Sequence, residues 1–154
     1  MSCKKKILII NGPNLNLLGT REPEVYGQKS LIQIQQETEQ DLVKVGIFNE
    51  LQWIQSNSEV EIVELIHKIK TNNKIDGLVI NPAGLSHTSV VLLDALLALK
   101  PLPIVEVHLT NPCAREEFRR SLLTAKAATM IMSGLGDRVY FHALYALHEV
   151  YLRS

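Results

Sequence analysis

Apolar and polar positions alternate along this chain between runs of strand length and stretches of helical spacing. Lys6-Ile7-Leu8-Ile9-Ile10-Asn11 is a continuous apolar run ended by Gly12-Pro13. Such a run predicts a strand buried on both faces, the kind found in parallel sheets. The stretch that follows carries Gly12, Pro13, Gly19, Pro23 and Gly27 and sustains no period. A loop this long in a compact domain is usually functional, so a lid over residues 19–27 is expected.

Ser30 and Gln33 have the spacing of a capping box, and Leu31, Ile34, Leu42 and Val45 follow at helical spacing up to Gly46. Residues 48–55 alternate Phe48, Glu50, Gln52 and Ile54 like a half-buried strand. Ser58 and Glu61 repeat the capping-box spacing before Ile62, Leu65, Ile66 and Ile69. Residues 76–81 predict a third strand, closed by Pro82-Ala83-Gly84, and residues 86–99 a helix stopped before Lys100-Pro101. Residues 103–108 predict a fourth strand, and Asn111-Pro112 a cap opening a short helix near Cys113. A fifth strand is expected over 129–132 and a last helix over 137–151.

Strand and helix in alternation predict an α/β fold: a flavodoxin-like, doubly wound, five-stranded parallel sheet with helices on both faces. The length of 154 residues suits a single domain over 1–154. Ligands of such sheets bind beyond the carboxyl ends of the strands at the switch point. Three strand ends carry polar clusters: Asn11-Gly12-Pro13-Asn14, Asn81-Pro82-Ala83-Gly84 and Glu106-Val107-His108. They are expected to meet at one edge.

Composition narrows the partners. Sixteen Lys and Arg balance sixteen Asp and Glu, so no global field draws in nucleic acid or an anionic membrane. The apolar run after Lys4-Lys5-Lys6 is too short for a signal sequence or a membrane span, which points to a cytoplasmic protein. Cys3 and Cys113 make no disulfide framework and no CxxC, and no histidine pair has zinc-site spacing, so no metal is expected. Gly12-Pro13-Asn14 is neither GxGxxG nor a P-loop, which removes support for nucleotide cofactors.

His108, with Glu106 two residues earlier on the same side of its strand, can exchange protons near neutral pH; it can equally be a hydrogen-bonded structural histidine. Arg21 precedes Tyr26 by five residues in the loop. A guanidinium favours a phenolate, so the pair can make a base; a surface tyrosine beside a solvated arginine is the plainer reading. His87 at an expected helix start can bind hydroxyls or simply cap. Arg115 and Arg119 share one helical face at this spacing, and one of them can reach the site.

Together these segments resemble the type II 3-dehydroquinate dehydratases, small enzymes of the shikimate pathway. The likeness runs nearly end to end, and its most specific block is Asn11-Gly12-Pro13-Asn14-Leu15-Asn16-Leu17-Leu18-Gly19 with Arg21-Glu22-Pro23 and Tyr26-Gly27. Gln55-Ser56-Asn57, His87-Thr88-Ser89, Glu106-Val107-His108 and residues 114–119 agree as well. The resemblance implies a cofactor-free anti-elimination of water from 3-dehydroquinate through an enolate. It implies Tyr26 as base, Arg21 as the group that activates it, and Asn14, with Pro13 and Gly84, holding a water on the enolate oxygen. His108, oriented by Glu106, would be the acid. Asn81, His87 and Arg119 would read substrate hydroxyls, and Leu109 and Thr110 the carboxylate. Asp94 would reach into a neighbouring subunit of a homo-oligomer, a dodecamer built of trimers.

The chain departs from the family's habit at Cys113, usually histidine, at Pro112, usually valine or isoleucine, at Thr110, usually serine, and at Glu59-Val60, usually Glu-Gly. The type I enzymes with the same net reaction use a barrel of about 250 residues, too long for this chain. A non-catalytic flavodoxin-like binding or regulatory module is the alternative on this fold, and it would have no need of Arg21 with Tyr26.

Overall fold

The computed structural model describes residues 4–72 and 74–153, so Cys3 lies outside the described residues. The strands are β1 (Lys6–Asn11), β2 (Glu50–Gln55), β3 (Gly77–Asn81), β4 (Ile104–His108) and β5 (Met130–Ser133). They form one parallel sheet in the order β2-β1-β3-β4-β5. The helices are α1 (Pro23–Tyr26), α2 (Leu31–Lys44), α3 (Glu59–Asn72), α4 (Leu85–Thr88), α5 (Val90–Leu97) and α6 (Val139–Leu147).

Apolar residues alternate between two cores, one on each face of the sheet. Ile7, Ile9, Val79, Val105 and Val107 pack with Ile34 and Leu42 of α2 and with Tyr140, Ala143 and Leu144 of α6. Leu8, Ile10, Leu78, Ile80 and Ile104 pack on the other face with Ile62 and Ile66 of α3 and Leu92 and Leu96 of α5. The expected doubly wound fold is therefore present, with the inner strands β1, β3 and β4 buried almost throughout. The edge strand β5 alternates, leaving Ile131 half exposed.

The first capping box forms as expected. Ser30 Oγ accepts from the Gln33 amide at 3.2 Å, and Gln33 Oε1 accepts from the Ser30 amide at 2.9 Å. The second is rerouted: Ser58 Oγ accepts from the Glu61 amide, but the Glu61 carboxylate accepts from Ser56 Oγ at 2.5 Å. Ser56 Oγ in turn accepts from the Ser58 amide at 3.0 Å.

Several expected boundaries are corrected. The helix over 86–99 breaks at Ser89, which is extended (φ −96°, ψ 100°) and accepts from the Leu92 amide at 2.8 Å to start α5 afresh. A serine hydroxyl offers the backbone an alternative to the helical ladder, and here it wins. The second strand begins at Glu50, not Phe48, and the Phe48 ring is exposed. Residues 115–120 are no α-helix: Arg115 is extended and only Glu117–Arg120 turns, as a 3₁₀ helix. The loop after β1 holds a 3₁₀ turn at Leu15–Leu17 and the single turn α1, both too short to show a period. The last helix starts as a 3₁₀ turn at Gly136–Arg138 and widens into a π turn after Leu147.

The sheet's switch point lies between β1 and β3. The Gly12 amide donates to the Asn81 carbonyl at 2.7 Å, extending that pairing past the end of β1 onto the last residue of β3. A Cβ at Gly12 would stand 2.6 Å from the Pro82 carbonyl oxygen and 2.8 Å from its carbon, backbone atoms that cannot swing aside. Gly12→Ala is therefore expected to destabilise the fold by more than about 1 kcal/mol. Chemical denaturation at fixed protein concentration checks this, and an unchanged midpoint would contradict it.

Candidate active site

Beyond the carboxyl ends of β1, β3 and β4 the chain leaves one cleft. Pro13, Asn14, Arg21 and Tyr26 line it from the first loop. Asn81, Ala83, Gly84 and His87 come from the end of β3 and from α4. His108, Leu109, Thr110, Arg115 and Arg119 come from β4 and the segment after it. The three polar strand ends thus meet at one edge, as the topology requires.

His108 and Glu106 project from the same face of β4. Glu106 is fully buried, and its Oε1 lies 2.8 Å from His108 Nε2. Its Oε2 accepts from Thr124 Oγ1 at 2.7 Å, and Thr124 is itself fully buried. Both carboxylate oxygens are therefore held. A carboxylate facing Nε2 fixes that nitrogen as the donor and leaves Nδ1 as the imidazole's free end.

The loop over 19–27 is closed at its neck. Gly19, at φ +88°, packs so tightly on residues 28–30 that a Cβ there would meet the Gln28 carbonyl oxygen at 3.0 Å. Lys29, at the returning end, binds Glu37 at 2.5 Å and Asp137 at 2.7 Å. Asp137 first, then Glu37, hold its ammonium pKa above the usual value. Within the loop, Tyr26 Oη accepts from Arg115 Nη1 at 2.6 Å. The Arg115 guanidinium carbon also lies 5.4 Å from the Tyr26 ring centroid. Arg21 lines the same cleft and pairs with Glu22 at 3.4 Å. The guanidinium that touches Tyr26 in this structure is thus Arg115.

Asn14 stands at φ 70°, with its amide donating to Asn57 Oδ1 at 2.8 Å. Asn57 Oδ1 also accepts from Gln55 Nε2 at 3.1 Å, so the end of β2 fixes the Asn14 turn. His87 Nδ1 lies 2.9 Å from the Ser121 carbonyl, which can only accept, so Nδ1 carries the proton and Nε2 is left for other contacts. Arg119 donates from Nε to Glu116 at 2.8 Å and lies 5.0 Å from the Phe118 ring centroid. The Glu116 carboxyl is held below the usual carboxylate range by its own backbone amide and then by Arg119. Asp94 is exposed on α5 and does not line its own chain's cleft.

In the sequence, Arg115 is one of two candidates on a charged stretch, and Thr124, Asn57 and Tyr140 carry no sign of a role. Thr124 and Tyr140 carry no motif, since each earns its place only when a distant strand folds against it. No helix among the described residues is long and apolar enough to cross a membrane.

Comparison with known proteins gives a consistent result. The family model described as "Dehydroquinase class II" matches residues 5–148. A 3-dehydroquinate dehydratase of Vibrio parahaemolyticus is 47% identical over 146 residues, covering 95% of this chain and 95% of that protein. One from Legionella pneumophila is 45% identical over 143 residues, covering 93% of this chain and 96% of that protein. The crystal structure of a type II dehydroquinase from Propionibacterium acnes superimposes with a TM-score of 0.86 at 34% identity, covering 97% of this chain and 99% of that one.

Thr124→Val removes one of the hydrogen bonds to the buried Glu106 carboxylate at nearly constant volume. A loss of about 1–3 kcal/mol is expected from the urea denaturation midpoint. A variant as stable as the parent would mean that this bond contributes nothing.

Proposed function

This chain belongs to the class II dehydroquinase family, and on that premise we propose that it removes water from 3-dehydroquinate to give 3-dehydroshikimate. The observation that carries the residue assignment is the presence in one cleft of a loop phenol hydrogen-bonded by a guanidinium and a strand histidine backed by a buried carboxylate. The reaction is redox-neutral, so acid–base groups suffice.

Tyr26, as its phenolate, takes the proton from the carbon beside the ketone. A guanidinium only donates, so the bond from Arg115 leaves the Tyr26 oxygen in the accepting role that a base needs. Arg21, lining the same cleft, adds a second positive charge near the developing enolate. Asn14, with the Pro13 and Gly84 backbone beside it, holds a water on the enolate oxygen. The enolate then reforms the ketone, the carbon–oxygen bond breaks, and the hydroxyl leaves as water with a proton from His108. Glu106 keeps the imidazole oriented and balances the charge it carries when protonated. In an anti-elimination the proton and the hydroxyl depart from opposite faces, so base and acid must come from different elements. The loop supplies one and β4 the other.

Asn81, His87 and Arg119 read the ring hydroxyls, and Leu109 and Thr110 receive the carboxylate. Asp94, exposed on α5, serves the cleft of a neighbouring subunit in a dodecamer built of trimers. The working compartment is the cytoplasm.

Purified protein is expected to convert 3-dehydroquinate to a conjugated enone, seen as rising ultraviolet absorbance. Tyr26→Phe should lower kcat by roughly 100-fold or more with the fold intact. No absorbance change with folded parent protein sinks the functional reading, and near-parental turnover by Tyr26→Phe sinks the assignment of the base. Sizing of the native protein is expected to give a dodecamer; a monomer would remove the role given to Asp94.

A further inference from the structure

Three buried polar groups lie in a line behind the cleft. Asn11 and Asn81 are register partners at the ends of β1 and β3, on the face covered by α6. Tyr140 of α6, fully buried, places its hydroxyl between them. It donates to Asn11 Oδ1 at 2.5 Å and accepts from Asn81 Nδ2 at 3.1 Å. Only Asn81 of the three lines the cleft.

The polarity of this line is forced from one end. The Ala83 amide lies 3.2 Å from the Asn81 side chain, and a backbone N–H can only donate. Asn81 must therefore turn its oxygen to Ala83 and its nitrogen to Tyr140. Ala83 itself sits at φ 53°, a region an alanine rarely adopts, so this turn is firmly imposed. The phenol oxygen, receiving from Asn81, has one proton to give, and it goes to Asn11. Burial pushes the Tyr140 phenol pKa up, against a smaller opposing effect of the Asn81 bond, so the proton stays in place at neutral pH. Asn11 must then present oxygen, and its Nδ2 is left buried with no partner among the described residues. An unpaired buried donor is unfavourable. Its presence is what an orientation imposed from the Ala83 end would produce.

We propose that Tyr140 is a positioning residue for Asn81: Ala83 sets which end of the amide is which, and the phenol pins its nitrogen so that the amide meets the substrate at a fixed angle. With one N–H and one lone pair committed inside, Asn81 has one amide proton and one lone pair left for a ring hydroxyl. Without the phenol, the nitrogen loses its internal partner, and the single bond from Ala83 is left to hold an amide that can turn about it. The inference rests on the reading of the cleft as the 3-dehydroquinate site and adds a residue outside it to the selection of substrate.

The test is a double-mutant cycle on the native oligomer with 3-dehydroquinate, comparing parent, Tyr140→Phe, Asn81→Ala and the double variant. Tyr140→Phe is expected to raise KM about tenfold while kcat stays within about twofold, the signature of lost substrate binding. In the Asn81→Ala background the same change should move KM by less than about twofold. A structural role for the phenol would lower the melting temperature in both backgrounds and leave that KM pattern absent. Asn11→Ala is the second variant and keeps the phenol. It removes the acceptor that anchors the phenol against Asn81, so a smaller rise in KM, again dependent on Asn81, is expected. An equal rise in KM in both backgrounds, or no rise in either folded single variant, overturns the inference. Parent protein that does not act on 3-dehydroquinate overturns the functional reading and this inference with it; parental turnover with additive KM effects overturns the inference alone.

Discussion

The Gly12 amide donates to the Asn81 carbonyl at 2.7 Å, and that bond carries the β1–β3 pairing one residue beyond β1, onto the last residue of β3. It is possible only because Gly12 has no Cβ to meet the Pro82 carbonyl. On one side it directs the chain into Pro13, Asn14 and the loop that bears Arg21 and Tyr26. On the other it brings in Asn81, Ala83 and Gly84. A parallel sheet opens a crevice where successive connections leave in opposite directions, and here the two departing chains are tied together at the mouth of that crevice.

The two halves of the proposed acid–base pair are held very differently. His108 is backed by Glu106, which is fully buried, and by Thr124 behind it. Nothing in that line can move without uncovering a carboxylate inside the core. Tyr26 belongs to an exposed loop fastened at Gly19 and Lys29 and touched within the cleft by Arg115. A buried acid and a base on an exposed loop suit the proposed reaction, in which the cleft must admit substrate and exclude water.

Much of the fold is legible in the sequence because buried parallel strands read as apolar runs and helices announce themselves with caps. Lys6–Asn11 and the Ser30–Gln33 box are cases where local pattern and tertiary structure agree. Pattern and structure part where a local hydrogen bond competes with a longer pattern. At Ser89 the apolar spacing runs on, but the hydroxyl restarts the helix. Residues 115–120 have helical charge spacing and still form only a 3₁₀ turn, so Arg115 reaches Tyr26 from an extended backbone. The residues lining the cleft came from strand ends and from family resemblance. Those behind it did not. Thr124 and Tyr140 are a threonine and a tyrosine like any others until Glu106 and Asn81 are folded against them.

In the proposed mechanism, proton removal and loss of the hydroxyl are separate acts, one by the loop and one by the sheet. Proton nuclear magnetic resonance of 3-dehydroquinate in deuterated water separates them. With His108→Ala, the proton beside the ketone should exchange for deuterium faster than without enzyme while little product forms, because Tyr26 still makes the enolate. With Tyr26→Phe, neither exchange nor product should exceed the background. Exchange that persists in Tyr26→Phe, or vanishes with turnover in a folded His108→Ala, would contradict this division of labour.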